Sequence, residues 1–104
     1  MRILCVCRCG NKRSVFTRYV LQGSGKHEAL ACGLKYNTPE TIEMLCKWAD
    51  KILLAELIMS ESIPIQYQEK IDFDFMIGPD DFPESITGPL KDLIYGKLKL
   101  LGYI

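Results

Sequence analysis

Long apolar runs are missing from this chain of 104 residues, which removes the expectation of a membrane span, since that takes about 20 consecutive apolar residues. No charged and apolar leader ends in a small-residue cleavage site, because Met1-Arg2 leads straight into strand-like sequence; a cytoplasmic protein is expected. Repeats, low-complexity tracts and linker-like stretches are absent too, so residues 1–104 read as one domain. Neither sign of charge is in excess, the net being zero, which argues against a nucleic-acid binder, normally a basic domain with interleaved aromatics. Histidine occurs once, as His27, with nothing to pair it with a catalytic role, and it reads as a surface residue. The five cysteines are an odd number at positions 5, 7, 9, 32 and 46. That excludes an evenly paired disulfide scaffold and fits reduced thiols. Cys5, Cys7 and Cys9 lack zinc-site spacing and a fourth ligand. No metal or cofactor is called for. Gly23-Ser-Gly-Lys26 looks superficially like a nucleotide loop, but its required first glycine would fall at Val20, and His27 stands where Ser or Thr belongs. It reads as a helix-terminating turn.

What is present is an ordinary globular composition, 48% hydrophobic and 25% charged, with charge unevenly placed. Residues 1–35 carry +6, and residues 36–104 carry −6. A positive front on a neutral body suits a small anion.

Strand and helix signals alternate. Ile3-Leu4-Cys5-Val6 is a short continuous apolar run, as in a central parallel strand covered on both faces. Cys7 to Arg13 is a polar loop with one glycine. Ser14 opens a helix, with Val15, Phe16, Tyr19 and Val20 at helical spacing and Gly23 past its end. Glu28 to Cys32 reads as a weak second strand. Thr38 is an N-cap, Pro39 suits the first helical position, and Ile42, Leu45, Cys46 and Ala49 form an apolar stripe. Ile52 to Ala55 is a third strand, and Ile71 to Ile77 looks like a fourth. Between them, residues 60–70 are ambiguous, with Pro64 able to open a short helix. A last helix runs from Pro89 with Leu90, Leu93, Ile94, Leu98 and Leu101 on one face and Gly102 at its end. The expectation is an α/β, three-layer doubly wound domain with a four-stranded parallel sheet and helices on both faces. Ligands in such folds sit at the carboxyl ends of the strands. The loops after the first and fourth strands share that edge.

The chemistry resides in the first of these loops. Backbone N–H groups of a tight loop form an anion-binding nest, and the helix that follows adds its positive end. A thiol there is stabilised as thiolate, the nucleophilic form. Arg13 can hold two phosphoryl oxygens at once, which a lysine cannot. Cys9 stands too close to Arg13 for a loop to wrap an oxyanion, so Cys7 is the candidate nucleophile, with Cys9 as a possible though strained redox partner. Cys32 and Cys46 read as small core residues. Tyr36 lies in a loop that could reach the pocket.

Cys7-Arg8-Cys9-Gly10-Asn11-Lys12-Arg13-Ser14, following the first strand of a small α/β domain, resembles the signature loop of the low-molecular-weight protein tyrosine phosphatases, usually Cys-x-Gly-Asn-x-x-Arg-Ser. The Gly-Asn pair stands one place later here, and Lys12 replaces a second cysteine. Trp48 to Leu54 resembles the family's Ala-Asp and apolar-strand stretch. Pro79-Asp80-Asp81-Phe82 resembles its later loop, where aspartate, one residue and an aromatic supply the general acid and a pocket wall. The resemblance implies catalysis by Cys7, Arg13 and Asp80, with Asp81 a rival acid. Arg8, Cys9, Gly10, Asn11, Lys12, Ser14 and Phe82 would contact substrate. It implies hydrolysis of phosphate monoesters, phosphotyrosine or an aryl phosphate, through a cysteinyl-phosphate, with inorganic phosphate as product and inhibitor. The expected partner is a phosphorylated protein or small phosphate monoester, without nucleic acid or membrane. Two alternatives compete: a non-catalytic phosphate-binding module, and a cysteine phosphocarrier resembling sugar-transport IIB proteins, to which Arg13 and Asp80 would bring no benefit. An arsenate-reductase-like enzyme would need a relay of thiols that Cys32 and Cys46 do not evidently supply.

Overall fold

A computed structural model describes residues 1–8, 12–77 and 88–104. Its centre is β1 (Arg2–Cys7), flanked by β2 (Glu28–Gly33) on one side and β3 (Lys51–Leu54) on the other, all parallel. The continuous apolar run of β1 has the expected cause, because both faces of the strand are covered. Ile3 and Cys5 pack with Leu21, Phe75, Leu90, Ile94 and Leu98, whereas Leu4 and Val6 pack with Ile42, Cys46, Met59 and Ile63. Successive side chains of a strand point to opposite faces, so a strand buried on both has no room for a polar alternate.

The first core is closed by α1 (Arg13–Gly23) and α3 (Gly88–Leu100), and the second by α2 (Pro39–Trp48). Thr38 caps α2 as expected, its side chain accepting from Thr41 N–H at 3.2 Å, with Pro39 in the first turn. At the other end Lys70 Nζ donates to the carbonyls of Cys46 (2.9 Å) and Ala49 (2.7 Å), a cation placed where the helix dipole is negative. Gly102 ends the turn after α3 at φ 84, where a side chain would be strained. Tyr103 N–H then reaches back to Leu98 O at 2.9 Å.

Two expectations are corrected. Ile71 to Ile77 is not a fourth strand: among the described residues the sheet has three strands, and only Ile71 bridges to Ile52. The reason lies in Asp72, whose Oδ1 accepts from Asp74 N–H at 3.0 Å while its carbonyl accepts from Phe75 N–H at 3.3 Å. That local turn competes with the ladder for the backbone. Along this segment Phe73 is exposed and Phe75 buried. Residues 60–70, ambiguous in sequence, hold the end of one 3-10 helix, Leu57–Ser62, and the whole of a second, Ile65–Lys70, which Pro64 opens as expected. Finally, α1 buries only part of the apolar spacing, with Phe16 and Val20 packed partly buried against the first core. Val15 and Tyr19 are exposed, Tyr19 at 72%, and the buried face is Arg13, Ser14, Thr17 and Leu21. A helix whose inner face begins with arginine and serine is organised around a polar site. Leu93 of α3 is likewise exposed, leaving Leu90, Ile94 and Leu98 as its inner stripe.

No helix among the described residues is long and apolar enough to cross a membrane.

Candidate active site

The carboxyl end of β1 is held on both sides beyond the strands themselves. Leu34 N–H donates to Cys7 O at 3.0 Å and Lys35 N–H to Arg8 O at 2.8 Å, while Ala55 N–H donates to Val6 O at 2.9 Å. Cys7 is therefore the last residue of a clamped central strand, 2% exposed. Its Sγ stands 3.0 Å from Ser14 Oγ, which is also buried. If the sulfur is a thiolate, the hydroxyl must be the donor. Ser14 belongs to the first turn of α1, so the positive end of that helix dipole faces the sulfur as well.

Arg13 precedes it, 1% exposed, with Nη1 3.4 Å from Glu56 Oε2. A buried guanidinium is tolerated only when its charge is compensated. Glu56 follows β3 directly, at the same sheet edge, and keeps 26% side-chain exposure. Thr17 Oγ1 donates to Arg13 O at 2.7 Å, tying off the first turn of the helix that carries the arginine.

Of the residues singled out from sequence, Cys7 and Ser14 are brought into contact, and Arg13 is buried as the neighbour of Ser14 at the start of α1. Arg8 is exposed and lines an open cleft of about 490 Å³ with Leu34, Lys35, Glu56, Ile58 and Glu61 among its walls. Lys12 lies half-buried immediately before α1. Cys9, Gly10, Asn11, Asp80, Asp81 and Phe82 lie outside the described residues. Tyr36 is exposed at the turn after β2, where Lys35 Nζ stands 5.5 Å from its ring centroid. Cys32 and Cys46 are core residues, as expected, and burial pushes each thiol up to about 11. Burial also pushes Cys5 up. His27 is more than a surface residue, since its Nε2 stands 2.7 Å from Tyr103 O.

Glu56 and Lys35 were not singled out from sequence. Glu56 had a usable signal, being the first acidic residue after an apolar parallel strand, at the edge where such sheets bind ligands. Lys35 had none beyond the basic bias of residues 1–35.

No family model matches the chain, and no curated protein sequence does. Several solved structures share its fold, among them these two. Wzb of Vibrio vulnificus, solved in complex with benzylphosphonate, is 18% identical with a TM-score of 0.67, over 96% of this chain and 95% of that one. The YwlE arginine phosphatase of Geobacillus stearothermophilus is 14% identical with a TM-score of 0.61, over 98% of this chain and 88% of that one. The fold expected from the resemblance, that of the low-molecular-weight protein tyrosine phosphatases, is the fold observed.

Proposed function

We propose that this chain is a cytoplasmic cysteine-dependent phosphatase that hydrolyses phosphate monoesters through a cysteinyl-phosphate intermediate. The observation that carries the proposal is the 3.0 Å contact of Cys7 Sγ with Ser14 Oγ at the carboxyl end of the central strand, with Arg13 buried next to Ser14. A merely structural thiol at a strand end has no need of a buried hydroxyl partner and a neighbouring buried guanidinium. The fold shared with an arginine phosphatase and with a protein solved with benzylphosphonate supports the same reading.

In the proposed reaction the Cys7 thiolate attacks phosphorus in line, forming the S–P bond as the ester P–O bond breaks. Asp80 gives its proton to the departing oxygen. Arg13 and loop N–H groups hold the equatorial oxygens, whose charge is spread in the transition state. Water then attacks phosphorus, Asp80 takes its proton, the S–P bond breaks, and inorganic phosphate leaves. Ser14, donating to the sulfur, makes the thiolate a better leaving group in this second step. Substrates are phosphotyrosine or another aryl phosphate, within a phosphorylated protein or a small monoester.

The deciding experiment is turnover of p-nitrophenyl phosphate by wild-type protein and by Cys7→Ser. Wild-type turnover that Cys7→Ser abolishes and Cys9→Ser largely retains is the expected result. An active Cys7→Ser protein would overturn the nucleophile. No turnover by wild type, with retained binding of a phosphotyrosyl peptide, would establish the phosphate-binding module instead.

A further inference from the structure

The cleft that Arg8 lines carries both signs of charge. Arg8, immediately after Cys7, and Lys35, after β2, both line it, their backbones joined by the 2.8 Å bond from Lys35 N–H to Arg8 O. Glu61, on the 3-10 turn that follows β3, lines it too, and Leu34, Ile58 and Met59 add aliphatic surface. Glu56 also lines the cleft, but its carboxylate already pairs with Arg13. Among the described residues the ion pairs are Arg2–Asp50 and Arg13–Glu56, and neither uses Arg8 or Lys35. Two exposed cations thus lie together, Arg8 one residue from the nucleophile and Lys35 bonded to its backbone, with no acid among the described residues paired to either.

Lys35 is also held in place. The turn that presents it is tied by Tyr36 N–H to Gly33 O (3.3 Å) and by Asn37 Nδ2 to Gly33 O (2.7 Å), and its ammonium rests over the Tyr36 ring. A cation on a fixed turn loses less freedom on meeting an anion than one on a free stem. The thiol and Arg13 take the phosphate, so this pair is surplus to a simple monoester. It is suited to a second negative group on the same substrate.

Resting on the phosphatase reading above, we propose that Arg8 and Lys35 form a second anion subsite, and that the preferred substrate is a phosphorylated peptide with a carboxylate on the residue adjoining the phosphoresidue. The subsite sets preference among substrates and takes no part in bond making.

The test compares two phosphotyrosyl peptides that differ only by aspartate or asparagine beside the phosphotyrosine. Wild-type protein should favour the aspartate peptide about threefold in kcat/KM, the scale of an exposed ion pair. Lys35→Ala should abolish most of the preference and Lys35→Glu should reverse it, while both variants turn over p-nitrophenyl phosphate as wild type does. The preference should also shrink as salt rises, because exposed pairs are screened. Glu61→Gln, which removes a negative charge from the same cleft, should keep or raise the preference. Equal rates on the two peptides, a preference that survives Lys35→Ala, or one lost in Glu61→Gln would each overturn the subsite. Binding of the same peptides to Cys7→Ser protein reads the subsite without turnover. A lack of p-nitrophenyl phosphate hydrolysis would therefore count against the phosphatase reading alone.

Discussion

Glu56→Gln is the substitution that tests most directly how the site is held together. The variant keeps the size of the side chain and one acceptor oxygen but removes the charge opposite Arg13, whose guanidinium is 1% exposed. Removing one partner of a fully buried pair costs about 3–5 kcal/mol, because a charge is left without compensation. Glu56 is 26% exposed, so water can replace part of what is lost, and the retained oxygen replaces more. A loss of about 2 kcal/mol follows, and in a domain of this size it lowers Tm by about 10 °C. Thermal unfolding followed by circular dichroism measures it, on catalytically inactive protein if need be. The double variant Arg13→Met with Glu56→Gln leaves no lone buried charge and should be at least as stable as Glu56→Gln alone. Turnover by Glu56→Gln should fall about tenfold or more, since Arg13 is no longer aimed. A Tm within about 2 °C of wild type, or a double variant whose losses simply add, would refute the idea that Glu56 compensates Arg13.

Asp80→Asn should slow hydrolysis of a phosphate ester with a poor leaving group by about 10²–10⁴-fold, and p-nitrophenyl phosphate far less; the same contrast in Asp81→Asn instead would move the acid to Asp81. Lys70→Met removes the ammonium from the carbonyls of Cys46 and Ala49 at the end of α2. It should cost about 1 kcal/mol, since the bonds are charge-assisted but partly exposed, and unchanged urea unfolding would remove Lys70 as a cap. Cys32 and Cys46 are each raised from 9.0 to about 11, first by burial and then by a neighbouring thiol. Because the unfolded chain releases these protons first, their contribution is complete below pH 9.0 and is lost as pH climbs to about 11. Stability should decline across that window, with a shallower slope in Cys32→Ala or Cys46→Ala; a slope equal to wild type would show that these thiols are not protected.

The strands, helices and loop that carry the site were legible because each has a local cause. A four-residue apolar run, a Thr-Pro cap and a cysteine six residues before an arginine act within a few residues of themselves. The segment Ile71 to Ile77 departs from a strand because Asp72 prefers its own turn, a choice between two local bonding patterns that residue types alone do not reveal. The spacing in α1 marks only part of its inner face, Phe16 and Val20, because apolar spacing assumes an apolar interior, whereas this helix also packs Arg13, Ser14 and Thr17 inward.

By itself the sequence determined the class of fold, the register of polar loop between strand and helix, and which residue types could attack and grip a phosphate. Those depend on near neighbours in the chain and on side-chain chemistry. Tertiary structure alone decided that Glu56 neutralises Arg13 and that Lys35 stands beside Arg8. Each meeting joins residues more than twenty places apart, brought to one edge because β2 and β3 run parallel to β1 and end beside it.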